Sequence, residues 1–96
     1  MATYITLVNF TDQGIRGVKD SPARFEAFRT LAEKMGVTVK SVYWTMGSHD
    51  IVVTVEGTDE AVAAVLMKVG SLGNVRSQTL RAYSADEMSR ILAKMP

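Results

Sequence analysis

The sequence has no cysteine, one histidine, one tryptophan and two prolines among its 96 residues. Without cysteine there is no disulfide framework, no thiolate metal site and no cysteine nucleophile. His49 is the only imidazole, and no serine and carboxylate stand around it in a recognisable triad pattern. A stable zinc or iron site needs several ligands, and His49 with the adjacent Asp50 falls short of that number. The glycines form neither a G-x-G-x-x-G nor a P-loop pattern, so nothing here cradles a nucleotide phosphate. Neither a metal nor another cofactor is expected. Long apolar runs are missing too: none reaches ~18 residues, and no basic-then-apolar leader opens the chain. A soluble, cytoplasmic protein with no membrane partner is expected.

Excess charge of one sign is also absent. Eleven Lys and Arg face ten Asp and Glu, a net of +1, and the basic residues are scattered. A duplex-binding domain needs a positive stripe to displace counterions, so no nucleic-acid partner is expected. What the chain does have is a 47% hydrophobic content. A single domain of this length buries roughly 60–70% of its unfolded surface, which is marginal for a monomer. Self-association is the expected supplement to its core.

The whole chain, residues 1–96, reads as one domain. Tyr4 to Phe10 is strand-like and apolar on both faces, with Ile5 and Leu7 on one and Tyr4, Val8 and Phe10 on the other; this marks a central strand. Thr11-Asp12-Gln13-Gly14 breaks it, and a helical turn fits between Gly14 and Asp20. Ser21-Pro22 starts a helix, Ser as the cap and Pro in the first turn. Phe25, Phe28, Leu31, Ala32 and Met35 then form its apolar stripe, and Gly36 ends it. Val37–Met46 and about Asp50–Glu56 are strands joined by Gly47-Ser48-His49-Asp50, a short Gly-led hairpin connection. Thr58 caps a second helix, with Val62, Val65, Leu66 and Val69 facing inward. A polar strand follows over about Asn74–Tyr83. Ser84-Ala85-Asp86-Glu87 is a capping box for a last helix, whose apolar side carries Met88, Ile91, Leu92 and Met95. The order βαββαβ with a C-terminal helix predicts an α+β, ferredoxin-like domain: a four-stranded antiparallel sheet with two helices on one face. The uncovered face then needs an apolar partner, and a second copy of the sheet is the simplest one.

Several stretches together resemble the GYD domain family, named for a Gly-x-Tyr-Asp-type turn between strands two and three. They are the hairpin, Gly70-Ser71-Leu72-Gly73-Asn74-Val75, the opening Tyr4–Gly14, Lys40–Gly47 and the tail Leu80–Glu87. The resemblance implies a member of the dimeric α/β barrel group, in which two sheets pack face to face; it implies no settled activity. Where the family has Tyr, this chain has His49. A phenol is a neutral donor at pH 7, whereas an imidazole titrates near ~6.5 and can ligate metal. A looser likeness is to the effector-binding domain of Lrp/AsnC-type regulators, which bind amino acids between subunits.

Each candidate residue has a plain reading beside a functional one. His49 is a turn or interface residue, a ligand contact or an acid–base group. Asp50 caps backbone amides or receives an amine or hydroxyl. Gly47 supplies a positive φ or a close backbone approach. Tyr43 and Trp44 point to opposite faces of their strand, as packing groups or as cavity walls. Asn9, Asn74, Arg76 and Arg81 are polar in or beside strand-like runs; buried, they need partners or define a ligand site. These nine residues form the candidate ligand site, near the hairpin and the Gly73-Asn74-Val75 loop. No catalytic set emerges, so a homo-oligomeric small-molecule-binding or regulatory module is the first reading. A metal-independent oxygenase or isomerase of the dimeric α/β barrel group, or a structural assembly subunit, are the alternatives.

Overall fold

Alternation along the chain decides which side of the sheet is covered. The computed structural model describes residues 1–96 and contains four strands: β1 (Ala2–Phe10), β2 (Thr38–Trp44), β3 (Ile51–Gly57) and β4 (Val75–Ala82). They form one sheet in the order β2-β3-β1-β4, with every neighbouring pair antiparallel. β1 is therefore central, and β2 and β4 are the edges. Four helices complete the chain: α1 (Asp12–Arg16), α2 (Ser21–Lys34), α3 (Asp59–Ser71) and α4 (Ala85–Leu92). A 3-10 turn over Val18–Asp20 links α1 to α2.

α2 and α3 cover one face. Beneath them lie Val8 of β1, Val39 of β2 and Ile51, Val53 and Val55 of β3, packed with Phe25, Ala32, Val37, Val62 and Val65. Seven of these ten core residues are valine. Tyr4 and Phe10 pack against the same cluster, while Ile5 and Leu7 turn to the open face. There the register sets Leu7 beside Val52, Val52 beside Tyr43, and Ile5 beside Leu80. These pairs form an apolar diagonal across the uncovered side. The register shifts between Val39 and Ser41, where Lys40 forms a bulge in edge strand β2.

The termini of the elements follow local chemistry, with one correction. Thr58 and Ser84 cap α3 and α4 by accepting the amides of Ala61 and Glu87. Gly36 takes φ +85° directly after α2. Ser21, by contrast, is the first residue of α2 and not its cap; Asp20 holds the cap position without a side-chain bond. The Ser21 hydroxyl is drawn inward by another partner, described below.

The turn after β1 docks on the connection between α3 and β4. Thr11 donates its amide to the Asn74 carbonyl (3.1 Å) and its hydroxyl to the Gly73 carbonyl (2.6 Å). Gly14 is buried against that connection, and a Cβ there would stand 1.9 Å from the Asn74 carbonyl oxygen. Gly14→Ala should therefore lower stability by about 1–3 kcal/mol through overpacking. Gly70→Ala, inside α3 with nothing within 4 Å of the added carbon, should raise it by ~0.5–1 kcal/mol. Urea unfolding of the two variants checks the contrast; equal effects would show that the docking is not tight.

Candidate functional site

Asn9, Gly47, His49 and Asp50 meet at one corner of the sheet. Gly47 adopts φ +114°, a conformation that costs an L side chain. Asn9, on the open-face side of β1, donates from Nδ2 to the Ser48 carbonyl (2.8 Å), and its Oδ1 lies 3.0 Å from His49 Nδ1. The Asp50 carboxylate accepts the Phe10 amide (2.9 Å), and the Asp50 amide donates to the Val8 carbonyl (2.8 Å). Thr45 closes the turn, its hydroxyl donating to the His49 carbonyl at 2.6 Å. The hairpin is thus bound to β1 by side chains as well as by the ladder. Arg76 joins this corner because its position pairs with Asn9 across β1 and β4.

The other candidates lie apart. Tyr43 stands on the open face, 66% exposed. Trp44 takes the opposite face: its indole N–H donates to the Ser21 hydroxyl (3.0 Å), and its ring meets Phe25 edge-on with centroids 5.9 Å apart. Asn74 accepts from Gln13 Nε2 at 2.9 Å in the docked turn. Arg81 pairs with Tyr4, five residues along β1 from Asn9, or roughly 17 Å at the usual strand rise. It does not share the hairpin corner.

Arg81 instead braces α4. Its guanidinium lies over the rings of Tyr83 (4.5 Å) and Tyr4 (5.6 Å) and 3.9 Å from the Glu87 carboxylate. The Tyr4 hydroxyl donates to the Asp59 carboxylate at the start of α3. Glu87 accepts the Ser84 amide (3.0 Å) and returns its own amide to the Ser84 hydroxyl (3.1 Å). That backbone hydrogen bond from Ser84 chiefly holds the Glu87 carboxyl below its ordinary value; desolvation opposes it, and the Ser84 side chain, Arg81 and Arg90 pull the same way as the backbone bond. Beyond this anchor Met88, Ile91, Leu92 and Met95 are exposed.

A mostly apolar space lies where no single sequence motif marks it. A cavity of about 470 Å³ separates α2 and α3 from the sheet. Val8, Val53 and Val55 form its floor, and Phe25, Phe28, Val65 and Val69 its roof. Ser21, Arg24 and Asn74 also border it. Of the nine sequence-predicted residues only Asn74 lines it; Trp44 stands behind the wall, touching Ser21 and Phe25. The signal in the sequence was valine on both facing layers, since short branched side chains opposite one another leave volume unfilled at the density proteins normally reach.

The family model for the GYD domain matches residues 4–92. The chain belongs to this family. Solved structures similar to this GYD domain include the feast or famine regulatory protein of M. tuberculosis, complexed with L-methionine. It superposes with TM-score 0.61 at 19% identity over 88% of this chain and 54% of that one, so the GYD domain spans about half the regulator's length. The Thermus thermophilus protein TTHA0845 aligns with TM-score 0.56 at 26% identity, covering 88% of this chain and 96% of that one. Both share the α+β, ferredoxin-like arrangement. No curated protein matches the GYD domain in sequence, and none of its helices is long and apolar enough to cross a membrane.

Two expectations follow. Asp50→Ala leaves the half-buried Phe10 amide unpaired and should cost about 1–3 kcal/mol in urea unfolding; a neutral result would mean that water replaces the carboxylate. Acid should loosen the start of α4. Because the folded Glu87 value is lowered, its stabilising contribution is complete above the ordinary glutamate range and is lost as pH falls through the lowered value. The protection of the Ser84 amide, taken relative to the intrinsic exchange rate at each pH, should fall there, and Glu87→Gln should abolish that pH step. A step unchanged in the variant would assign it to another carboxylate.

Proposed function

We propose that this GYD domain is a homo-oligomeric module that binds a small apolar molecule between its helices and its sheet. The cavity carries this reading: its volume lies within the range of small-ligand sites, and its wall is mostly apolar with a few polar groups. Arg24 is the one charged side chain in that wall, and a guanidinium keeps its proton throughout the neutral range. The cavity therefore offers no acid–base pair, which favours binding over the oxygenase or isomerase alternative. The M. tuberculosis neighbour, complexed with L-methionine, adds support that this fold accommodates a small molecule.

The assembly half of the proposal rests on the open face. Tyr43, Val52, Leu7, Ile5 and Leu80 run across it, and the apolar side of α4 is also uncovered. A second copy, sheet against sheet, would bury the open face. Asn9, Gly47, His49, Asp50 and Arg76 would then lie at the corner where two copies meet, and a regulatory signal from the cavity would reach the partner through the shared sheet.

A thermal-shift screen of apolar alcohols, carboxylic acids and amino acids tests the binding half. At least one class should raise the melting temperature by several degrees, and Val69→Phe, which fills the cavity, should remove the shift. Light scattering tests the assembly half, with an expected mass of at least twice the 10.5 kDa of one chain at micromolar concentration. A concentration-independent monomer would overturn self-association, and a screen without a hit would leave an assembly subunit as the better description.

A further inference from the structure

We propose that the cavity takes a monocarboxylic acid with an apolar body, whose carboxylate is received by Arg24 and Ser21; this rests on the reading that the cavity binds a small molecule. Arg24 is a cation held in place by the backbone and joined to no carboxylate. Arg24 donates from Nη1 to the Gly17 carbonyl (3.0 Å) and from Nη2 to the Gly14 carbonyl (3.1 Å). Those two dipoles hold the fork in place without cancelling its charge. The three ion pairs of the chain join Arg29 to Glu26, Lys40 to Glu56 and Arg81 to Glu87, and Arg24 is in none of them. A guanidinium has five N–H donors, so three are left without a partner in the chain.

Ser21 supplies a second donor. It sits three residues before Arg24 on α2, a spacing that brings two side chains to one face of a helix. Ser21 is only 4% exposed. Its oxygen accepts the Trp44 indole N–H, and its own hydroxyl proton meets no protein acceptor. Arg24 and Ser21 both line the cavity, so a carboxylate with two acceptor oxygens can engage both.

The apolar wall selects what the carboxylate is attached to. Val8, Phe25, Phe28, Val65 and Val69 surround the space with hydrocarbon, which favours an alkyl or aromatic body over a sugar or a nucleotide. No Asp or Glu lines it, so the ammonium of an amino acid would enter without a counter-charge and beside a cation. A plain acid avoids that cost.

The probes are decanoate and decan-1-ol, which share one alkyl chain, with L-methionine as the zwitterionic comparison. Emission of Trp44, the only tryptophan, reports occupancy because its ring touches two wall residues. Decanoate should bind at least about tenfold more tightly than decan-1-ol, the ratio that one charge-assisted hydrogen bond supplies. Arg24→Gln and Ser21→Ala should each shrink this preference, and Arg24→Lys should retain part of it. Since Arg24 also braces two carbonyls, wild-type protein provides a check free of any substitution: the preference should vanish as pH falls through the acid's own ionisation. Equal affinity for acid and alcohol would overturn the carboxylate assignment while leaving the binding reading intact. Tighter binding of methionine than of decanoate would also overturn it. Binding of none of the three would overturn it together with the cavity reading.

Discussion

The last amide of β1 points to where β3 has already turned into the hairpin, and the Asp50 carboxylate meets it. A buried or half-buried N–H without a partner is costly, so this one bond decides where the two strands may stop relative to each other. Register follows from it. Side chains alternate with period two, and a slip of one residue would turn Val53 and Val55 outward and Val52 and Thr54 inward. Asn9 reinforces the setting from the same end of β1 through Ser48 and His49. The valine floor of the cavity and the apolar diagonal of the open face both depend on that alignment.

Most of the fold was legible in the sequence because its signals are local. Period-two alternation located β1 and β3, the capping residues Thr58 and Ser84 located two helix starts, and Gly36 located one helix end. The turn before α2 was harder: Ser21 looks like a cap, yet its hydroxyl accepts the Trp44 indole N–H instead. The hairpin corner was partly legible. Gly47 and Asp50 announce a turn, but that Asn9 clamps it, and that Arg76 stands beside Asn9 while Arg81 does not, depends on strand order and register. The cavity was not legible as a motif, since its volume is a difference between two packed layers and not a property of either one.

The same arithmetic of small side chains links stability to recognition. A core in which seven of ten buried residues are valine has modest volume per position, and Phe25 of α2 is the one aromatic among those ten. Two helices standing off the sheet forgo dispersion contacts that a filled interior would gain. An occupant that restores them would bind and stabilise through the same contacts. The open face and the cavity are thus two unfilled surfaces on opposite sides of one sheet, and β1 and β3 contribute to both.

The bulge at Lys40 has a separate consequence, for coexistence of many copies in one solution. β2 and β4 end the sheet with unpaired backbone groups, the kind of edge onto which further strands add without limit. On β2 the bulge interrupts the even row of donors and acceptors at Lys40, whose ammonium is 3.3 Å from Glu56. On β4, Arg76, Ser77, Gln78 and Arg81 make the strand polar along its length. Growth by strand addition is blunted at both margins, so the apolar sheet face is displayed beside edges that do not invite fibrils.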